Sequence, residues 1–420
     1  MNIKQILKTI LPDDTIVKMK NILNDKNNKN MLEKQKHIKT YEEGRYPKGI
    51  NLIGDIKAET GLGQSMRIIA HIIKERGIPF TIIQVDSPGS LMHSETEYDD
   101  YISEEAKFDC NLIHINPNIW AENYLRFPME LLNYRYNIAY WLWELEEFPE
   151  EWCPCIQTVD EIWVPSEFIG NSIRKRTDKL VKTVPYVIRT APDFKMDRKY
   201  FQLPEEKFLF LMMYDFKSIS ERKNPKGVIE AYKIFYDKYK KKVRQIAVET
   251  HFKEPGLVIK VNHIKGGKEF TMLKEELKDI PNVYYLTGNM SRTEVDSLIA
   301  TADLLVSLHR SEGFGLPLAE AMQMGTPVIA TNWSATTEFM DEESACLVDY
   351  KLITLEKNIG PYKKGNRWAD ADLEQAAIWM EKLYWDKDFY LRIKENAEKA
   401  IERYLSIAKM KQVWGDKKEK

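Results

Sequence analysis

The sequence predicts an α/β protein built from two doubly wound domains. Three observations lead there. At 420 residues the chain exceeds the roughly 250–300 residues that one hydrophobic core usually organises. From Gly49 onward, short apolar runs alternate with amphipathic helical stretches, the pattern of a parallel sheet with crossover helices. The alternation occurs twice, in series of similar size separated by the polar stretch Thr190–Glu206. Two sheets facing a shared cleft are therefore expected, with ligands at the carboxyl ends of the strands.

In the first series, Ile50–Ile56 reads as a buried strand. Gly61–Arg76 follows as a helix with Met66, Ile69, Ile72 and Ile73 on one side. Phe80–Val85, Asn111–Asn116, Asn137–Trp143, Glu161–Val164 and Val184–Val187 are the further strands. The second series begins near Lys207 with strand Phe208–Met213 and helix Pro225–Tyr239. It continues through strand Leu257–Val261, helix Phe270–Leu277, strand Val283–Leu286 and helix Arg292–Ala300. Strand Leu304–Ser307, helix Leu316–Met324 and strand Pro327–Thr331 complete it, before long charged helices over Asp372–Trp414. The expected division is a basic extension (1–48), a first domain (49–190), a linker (191–206), a second domain (207–390) and a terminal helix (391–420) packing back toward the first.

A net charge of -2 gives no reason to expect a nucleic-acid partner. The four cysteines, Cys110, Cys153, Cys155 and Cys346, form no metal-site pattern and read as reduced thiols, which suits the cytoplasm. No apolar run reaches the roughly 18–20 residues of a membrane span, and Met1–Leu11 shows no signal-peptide core. Residues 1–48 hold eleven Lys/Arg against six Asp/Glu, with Ile3, Ile6, Leu7 and Ile10 at helical spacing. Two readings stay open: a basic helix in peripheral contact with an anionic membrane, or a helix packed on the body.

Two segments carry chemistry. Glu59-Thr60-Gly61-Leu62-Gly63-Gln64-Ser65 lies between a strand and a helix, where glycines let backbone amides approach a phosphate or sugar oxygen. A dinucleotide fingerprint, with Asp86 as the ribose acid, is opposed by Met66 at the third fingerprint position. The second segment runs from Ser307 to Met322. A strand ends in a loop with Gly313 and Gly315, a helix opens at Leu316, and Glu312 and Glu320 stand eight residues apart. Carboxylates accept hydrogen bonds from vicinal sugar hydroxyls, and a helix N-terminus suits a phosphate.

Glu312 to Met322, reading EGFGLPLAEAM, resembles the Glu-x7-Glu motif of the group 1 (family 4) retaining glycosyltransferases of GT-B fold. Gly325–Thr331 fits the same family. Tyr140–Glu146, Ile162–Ser166, Glu221–Pro225 and Trp368–Asp370 resemble a subgroup found among bacterial cell-surface polysaccharide enzymes. The resemblance implies that Glu312 binds donor-sugar hydroxyls and Glu320 the nucleotide ribose. It makes the amides of Gly313, Phe314, Gly315 and Leu316 the cradle of sugar and diphosphate. Arg222 and Lys223 would neutralise the departing diphosphate, although the family usually spaces its arginine further ahead, where this chain reads Lys217-Ser218. Gly61, Leu62 and Gly63 would form a donor-side loop, His114 would lie beside the donor sugar, and Thr287 and Gly288 along the base. Trp141, Trp143 and Glu144 would form an acceptor wall, or else belong to the core.

No Asp-x-Asp follows a strand, and Asp370-Ala371-Asp372 falls at an expected helix start. The resemblance therefore implies metal-independent transfer without a cofactor. The substrates would be a GDP- or UDP-linked hexose, with a lean toward mannose, and a glycan or lipid-linked acceptor. An NAD-dependent oxidoreductase, a sugar-nucleotide epimerase of the same architecture and a silent scaffold subunit are the alternatives.

Overall fold

The computed structural model describes residues 13–58, 60–86, 96–216, 218–245, 252–262 and 268–411. The Ile3–Ile10 pattern, Glu59 and Lys217 lie outside them. The chain divides into two compact units, one holding Met1–Trp143, Glu147–Pro165 and Ile169–Tyr186, the other Glu144–Glu146, Ser166–Phe168 and Val187–Lys420.

The first unit is built on a six-stranded sheet in the order β2-β1-β3-β4-β5-β6. Its strands are β1 (Ile50–Gly54), β2 (Phe80–Gln84), β3 (Cys110–His114), β4 (Tyr136–Tyr140), β5 (Glu161–Val164) and β6 (Val181–Thr183). All neighbours pair in parallel. The strands are mostly apolar because both faces are covered, with Leu52, Ile53, Leu112 and Ile113 fully buried. Asn51, Asn111 and Asn137, on β1, β3 and β4, are joined by amide hydrogen bonds of 2.8 Å, so these buried polar side chains satisfy one another.

One strand sits earlier than the sequence predicts. β6 ends at Thr183, and Val184 donates one further bond to Val164 O at 2.8 Å. Pro185 follows, and with no N–H to offer it stops the ladder, leaving Val184–Val187 buried but outside the sheet.

The second unit has the order β12-β11-β10-β7-β8-β9. The strands are β7 (Phe208–Asp215), β8 (Pro255–Asn262), β9 (Val283–Thr287), β10 (Leu304–Ser307), β11 (Val328–Thr331) and β12 (Cys346–Val348). In chain order this is the 3-2-1-4-5-6 arrangement of a dinucleotide-binding sheet, with the strand direction of travel reversing between β7 and β10. The core gathers Phe210, Met212, Tyr232, Phe235, Ile259, Val306 and Ile329.

The sequence reading missed an antiparallel hairpin, β13 (Tyr350–Thr354) with β14 (Arg367–Ala371). It corrects one position. Asp370 lies on β14 rather than at a helix start, and Asp372 alone caps the helix Leu373–Trp385, accepting from Gln375 N at 3.0 Å. The last helix, Lys387–Lys411, packs in its described part against the helices Leu316–Gln323 and Leu373–Trp385 of the second unit. Residues 412–420 lie outside the described ones. All four cysteines are free thiols, and no helix among the described residues is long and apolar enough to cross a membrane.

Candidate active site

In the second unit, the candidate residues collect where the sheet reverses. β7 leads through the short helix Ser220–Lys223 into Asn224, which takes the left-handed conformation at φ 52°. Asparagine tolerates that geometry. Its side chain donates to Leu308 O at 2.9 Å and accepts from Gly227 N at 3.2 Å, tying this turn to the end of β10. Arg222 and Lys223 are thereby held beside the loop that leaves β10.

That loop carries Glu312, which is 8 % exposed. Its carboxylate takes Lys223 Nζ at 2.5 Å on Oε1 and Arg222 Nη1 at 3.1 Å on Oε2. Arg222 also donates to Ser311 O at 2.8 Å, and its Nη2 lies 3.8 Å from Glu144. Its Nε is buried with no hydrogen-bond partner. Burial alone pushes Glu312 up, but the two cations outweigh it and bring the carboxyl down to about 2. Burial likewise pulls Arg222 down, and Glu312, Tyr362 and Glu144 more than restore it, so it stays charged.

The loop is fixed from outside by Ser334 Oγ, which accepts from Glu312 N at 2.8 Å. Gly315 stands at φ 92° before the helix Leu316–Gln323, and a Cβ there would come within 2.5 Å of Thr336 Cγ2. Only glycine fits this turn. The helix that follows has Pro317 in its first turn, where a missing N–H breaks no helical hydrogen bond, and Leu318 N donates to Gly315 O at 3.0 Å. Lys223, Glu312, Gly315, Pro317, Tyr214 and Ser307 line one narrow cavity.

Glu320 lies one turn into that helix, 2 % exposed, with Arg292 Nη2 at 3.0 Å. Thr287 ends β9 exposed, and Gly288 at φ 101° accepts from Lys260 Nζ at 2.9 Å. Lys260 is itself buried on β8, and burial pulls its ammonium down to about 8.

In the first unit, Leu62 and His114 meet with Asp55, Asp86 and Asn116 around a small cleft at the ends of β1, β2 and β3. Gly63 serves packing, since a Cβ would fall 2.0 Å from Ala58 O, and its N–H already donates to the capping Thr60 hydroxyl at 3.2 Å. Gly61 faces open space. His114 Nε2 is paired with Ser65 Oγ at 2.6 Å, which in turn meets Tyr186 OH at 2.5 Å, and the imidazole stacks on Tyr140.

Trp141 and Trp143 require a correction as acceptor-wall residues. They are 0 % and 2 % exposed. Trp141 stacks on Phe148 and meets Trp120 edge-on, while Trp143 packs on Trp152 and donates to Glu147 O at 2.9 Å. Neither indole has a face left for a sugar. Glu144 belongs with the second unit, where it accepts from Tyr362 OH at 3.2 Å.

Burial lowers both His114 and His309 to about 4. Unfolded, each takes its proton near pH 6.5. Between pH 6.5 and 4 the unfolded chain binds more protons, so acidification favours unfolding, by up to about 3 kcal/mol per histidine. The sign is opposite to that of a partnered, raised histidine. Urea unfolding at pH 7, 5.5 and 4.5 should show this loss, reduced in His114→Gln. Equal stability at the three values would contradict it.

Arg292, Lys260, Ser65, Ser311, Tyr362 and His309 were not assigned roles from sequence. Ser65, His309 and Ser311 fall inside the two segments singled out from sequence, and Arg292 carries a local signal in its i,i+4 spacing to Asp296.

Residues 193–352 match the family model described as glycosyl transferases group 1. At the sequence level no curated protein matches the chain significantly. Among solved structures, HepE of Anabaena with UDP and glucose superposes at TM-score 0.58 and 12% identity, over 87% of this chain and 97% of that one. A glycosyltransferase of Rickettsia africae gives 0.59 at 13% identity, over 88% and 100%. Sucrose-phosphate synthase of Thermosynechococcus elongatus gives 0.59 at 14% identity, over 86% and 97%. The chain thus carries a group 1 glycosyl transferase domain at residues 193–352, and its two six-stranded parallel sheets have the fold of the GT-B glycosyltransferases.

Proposed function

We propose that the chain transfers a hexose from a nucleoside-diphosphate hexose to a glycan or lipid-linked acceptor, with retention of anomeric configuration and without a metal ion. The carrying observation is the Arg222–Glu312–Lys223 cluster beside the N-terminus of the helix Leu316–Gln323. Two cations and a helix terminus answer the charge of a diphosphate, and one carboxylate among them suits sugar hydroxyls. The orphan Nε of Arg222 is a donor awaiting an acceptor.

In this reading the bond from the anomeric carbon to the diphosphate oxygen breaks as Lys223, Arg222 and the loop amides take up the charge. The acceptor hydroxyl forms its bond on the same face of the sugar, and its proton passes to the departing diphosphate. Glu320 holds the ribose, and Thr287 and Gly288 flank the base. His114, uncharged at neutral pH, acts as a hydrogen-bonding group rather than a cation. The work would belong to cell-surface polysaccharide synthesis on the cytoplasmic side. Exposed Met19, Ile22 and Leu23 on the lysine-rich helix Asp13–Gln35 support a peripheral membrane contact.

The test is nucleotide release from UDP-glucose, UDP-galactose, UDP-N-acetylglucosamine and GDP-mannose, with and without EDTA, and proton NMR of the product's anomeric centre. One donor should be consumed equally in EDTA, with the anomeric configuration kept. The resident UDP and glucose of the HepE structure give the uridine donors first place. An inverted product, or activity abolished by EDTA and restored by a divalent ion, would overturn the reading.

A further inference from the structure

We propose that Arg292 is a positioning residue for donor binding: it pins the buried Glu320 carboxylate in the orientation that accepts the ribose hydroxyls. The inference rests on the reading of Glu320 as the ribose acid and assigns what keeps that acid serviceable.

Glu320 is 2 % exposed on the helix Leu316–Gln323. A carboxylate taken that far from water needs a cation and hydrogen bonds to remain ionised. Arg292 Nη2 supplies them, 3.0 Å from Oε2. The arginine is held in turn. It opens the helix Arg292–Thr301 inside a capping box, in which Ser291 N donates to Glu294 at 2.7 Å and Glu294 N to Ser291 Oγ at 3.2 Å. Its Nε donates to Asp296 Oδ1 at 2.9 Å, and its Nη2 pairs with the same oxygen. Asp296 is 1 % exposed and also accepts from Ala191 N at 3.0 Å.

One guanidinium is thus shared between two buried acids. The fork geometry of arginine allows this, since separate N–H groups address the two carboxylates. The charged groups acting on Glu320 are Arg292, which favours its anion, and Asp296, which opposes it. Burial, the larger effect, pushes the carboxyl above the usual range. Removing Arg292 leaves two acids facing each other with no cation between them, and Glu320 takes a proton. A protonated carboxyl has lost acceptor capacity, so a ribose diol is bound less well. Arg292 also follows the Thr287–Gly288 loop by four residues.

The experiment is calorimetric titration of the full chain with UDP and 2′,3′-dideoxy-UDP between pH 6 and 9. Wild type should prefer the ribonucleotide by at least about tenfold at all pH values, as even one hydrogen bond to a charged group would give. Arg292→Ala should show less than threefold preference at the acid end of this range and a larger one as the pH rises. Arg292→Lys should keep most of the preference throughout. Should the alanine variant fail to fold, Arg292→Gln carries the same expectation. A variant lacking the guanidinium that keeps the wild-type preference at every pH overturns the proposal. Glu320→Gln separates the two levels. If it too keeps the preference, the ribose role of Glu320 fails; if it loses the preference while Arg292→Ala does not, only the role of Arg292 fails.

Discussion

Glu312→Ala is expected to destabilise the second unit by about 3–5 kcal/mol and to reduce glycosyl transfer by at least about a hundredfold. The stability loss follows from what the carboxylate leaves behind. Arg222 is 7 % exposed, and Glu312 is its close ion-pair partner at 3.1 Å, the Glu144 carboxylate lying further off at 3.8 Å. Stripped of that partner, a buried guanidinium pays the desolvation cost without compensation. The activity loss follows because the same carboxylate is the proposed ligand of donor hydroxyls and orders both cations. Chemical denaturation and nucleotide release measured on one preparation would check both. A variant as stable as wild type would mean that Arg222 is solvated in a way its burial excludes.

Lys223→Ala should separate the two effects. Its side chain is 25 % exposed, so its pair with Glu312 is partly screened and its removal should cost stability only about 1 kcal/mol. Its catalytic cost should be larger, about 100- to 1,000-fold in kcat, the loss typical when one donor facing developing charge is removed. Donor KM should move less than kcat, because the charge on the bridging oxygen grows in the transition state. The Lys223→Ala, Glu312→Ala double variant should lose less activity than the two single losses multiplied, since the pair acts as a unit. A Lys223→Ala enzyme with unchanged kcat would remove that lysine from the chemistry.

Much of the architecture was legible because it is written in periodicity. Buried parallel strands such as Leu209–Met212 appear as unbroken apolar runs, Leu257–Val261 is interrupted by Lys260 alone, and helices such as Gly61–Glu75 show one apolar face. Strands that carry less apolar signal escaped. β12 is three residues long, and β13 exposes Lys351–Thr354, so neither contrasts with a loop. The tryptophans misled for a related reason. Composition tells that an indole is large and flat, not whether its faces are already occupied, and Trp141 and Trp143 are filled on both sides by Phe148, Trp120 and Trp152.

The candidate site divides the same way. Glu312, Gly315 and Glu320 lie in one contiguous motif and could be read from its spacing. The contacts that set their charge come from afar: Arg222 and Lys223 stand about ninety residues before Glu312, and Arg292 meets Glu320 from another helix. Ser65 pairs with His114 across 49 residues. Such partners are fixed by the order of strands in the sheet, which no local pattern records.

The most direct measurement is a crystal structure of the full chain soaked with UDP or GDP. The diphosphate should lie against Lys223, Arg222 and the amides at Gly313–Leu316, displacing Lys223 from Glu312, with the ribose hydroxyls on Glu320. Nucleotide density anywhere else, with the Lys223–Glu312 pair intact, would contradict the assignment of this cluster as the diphosphate cradle.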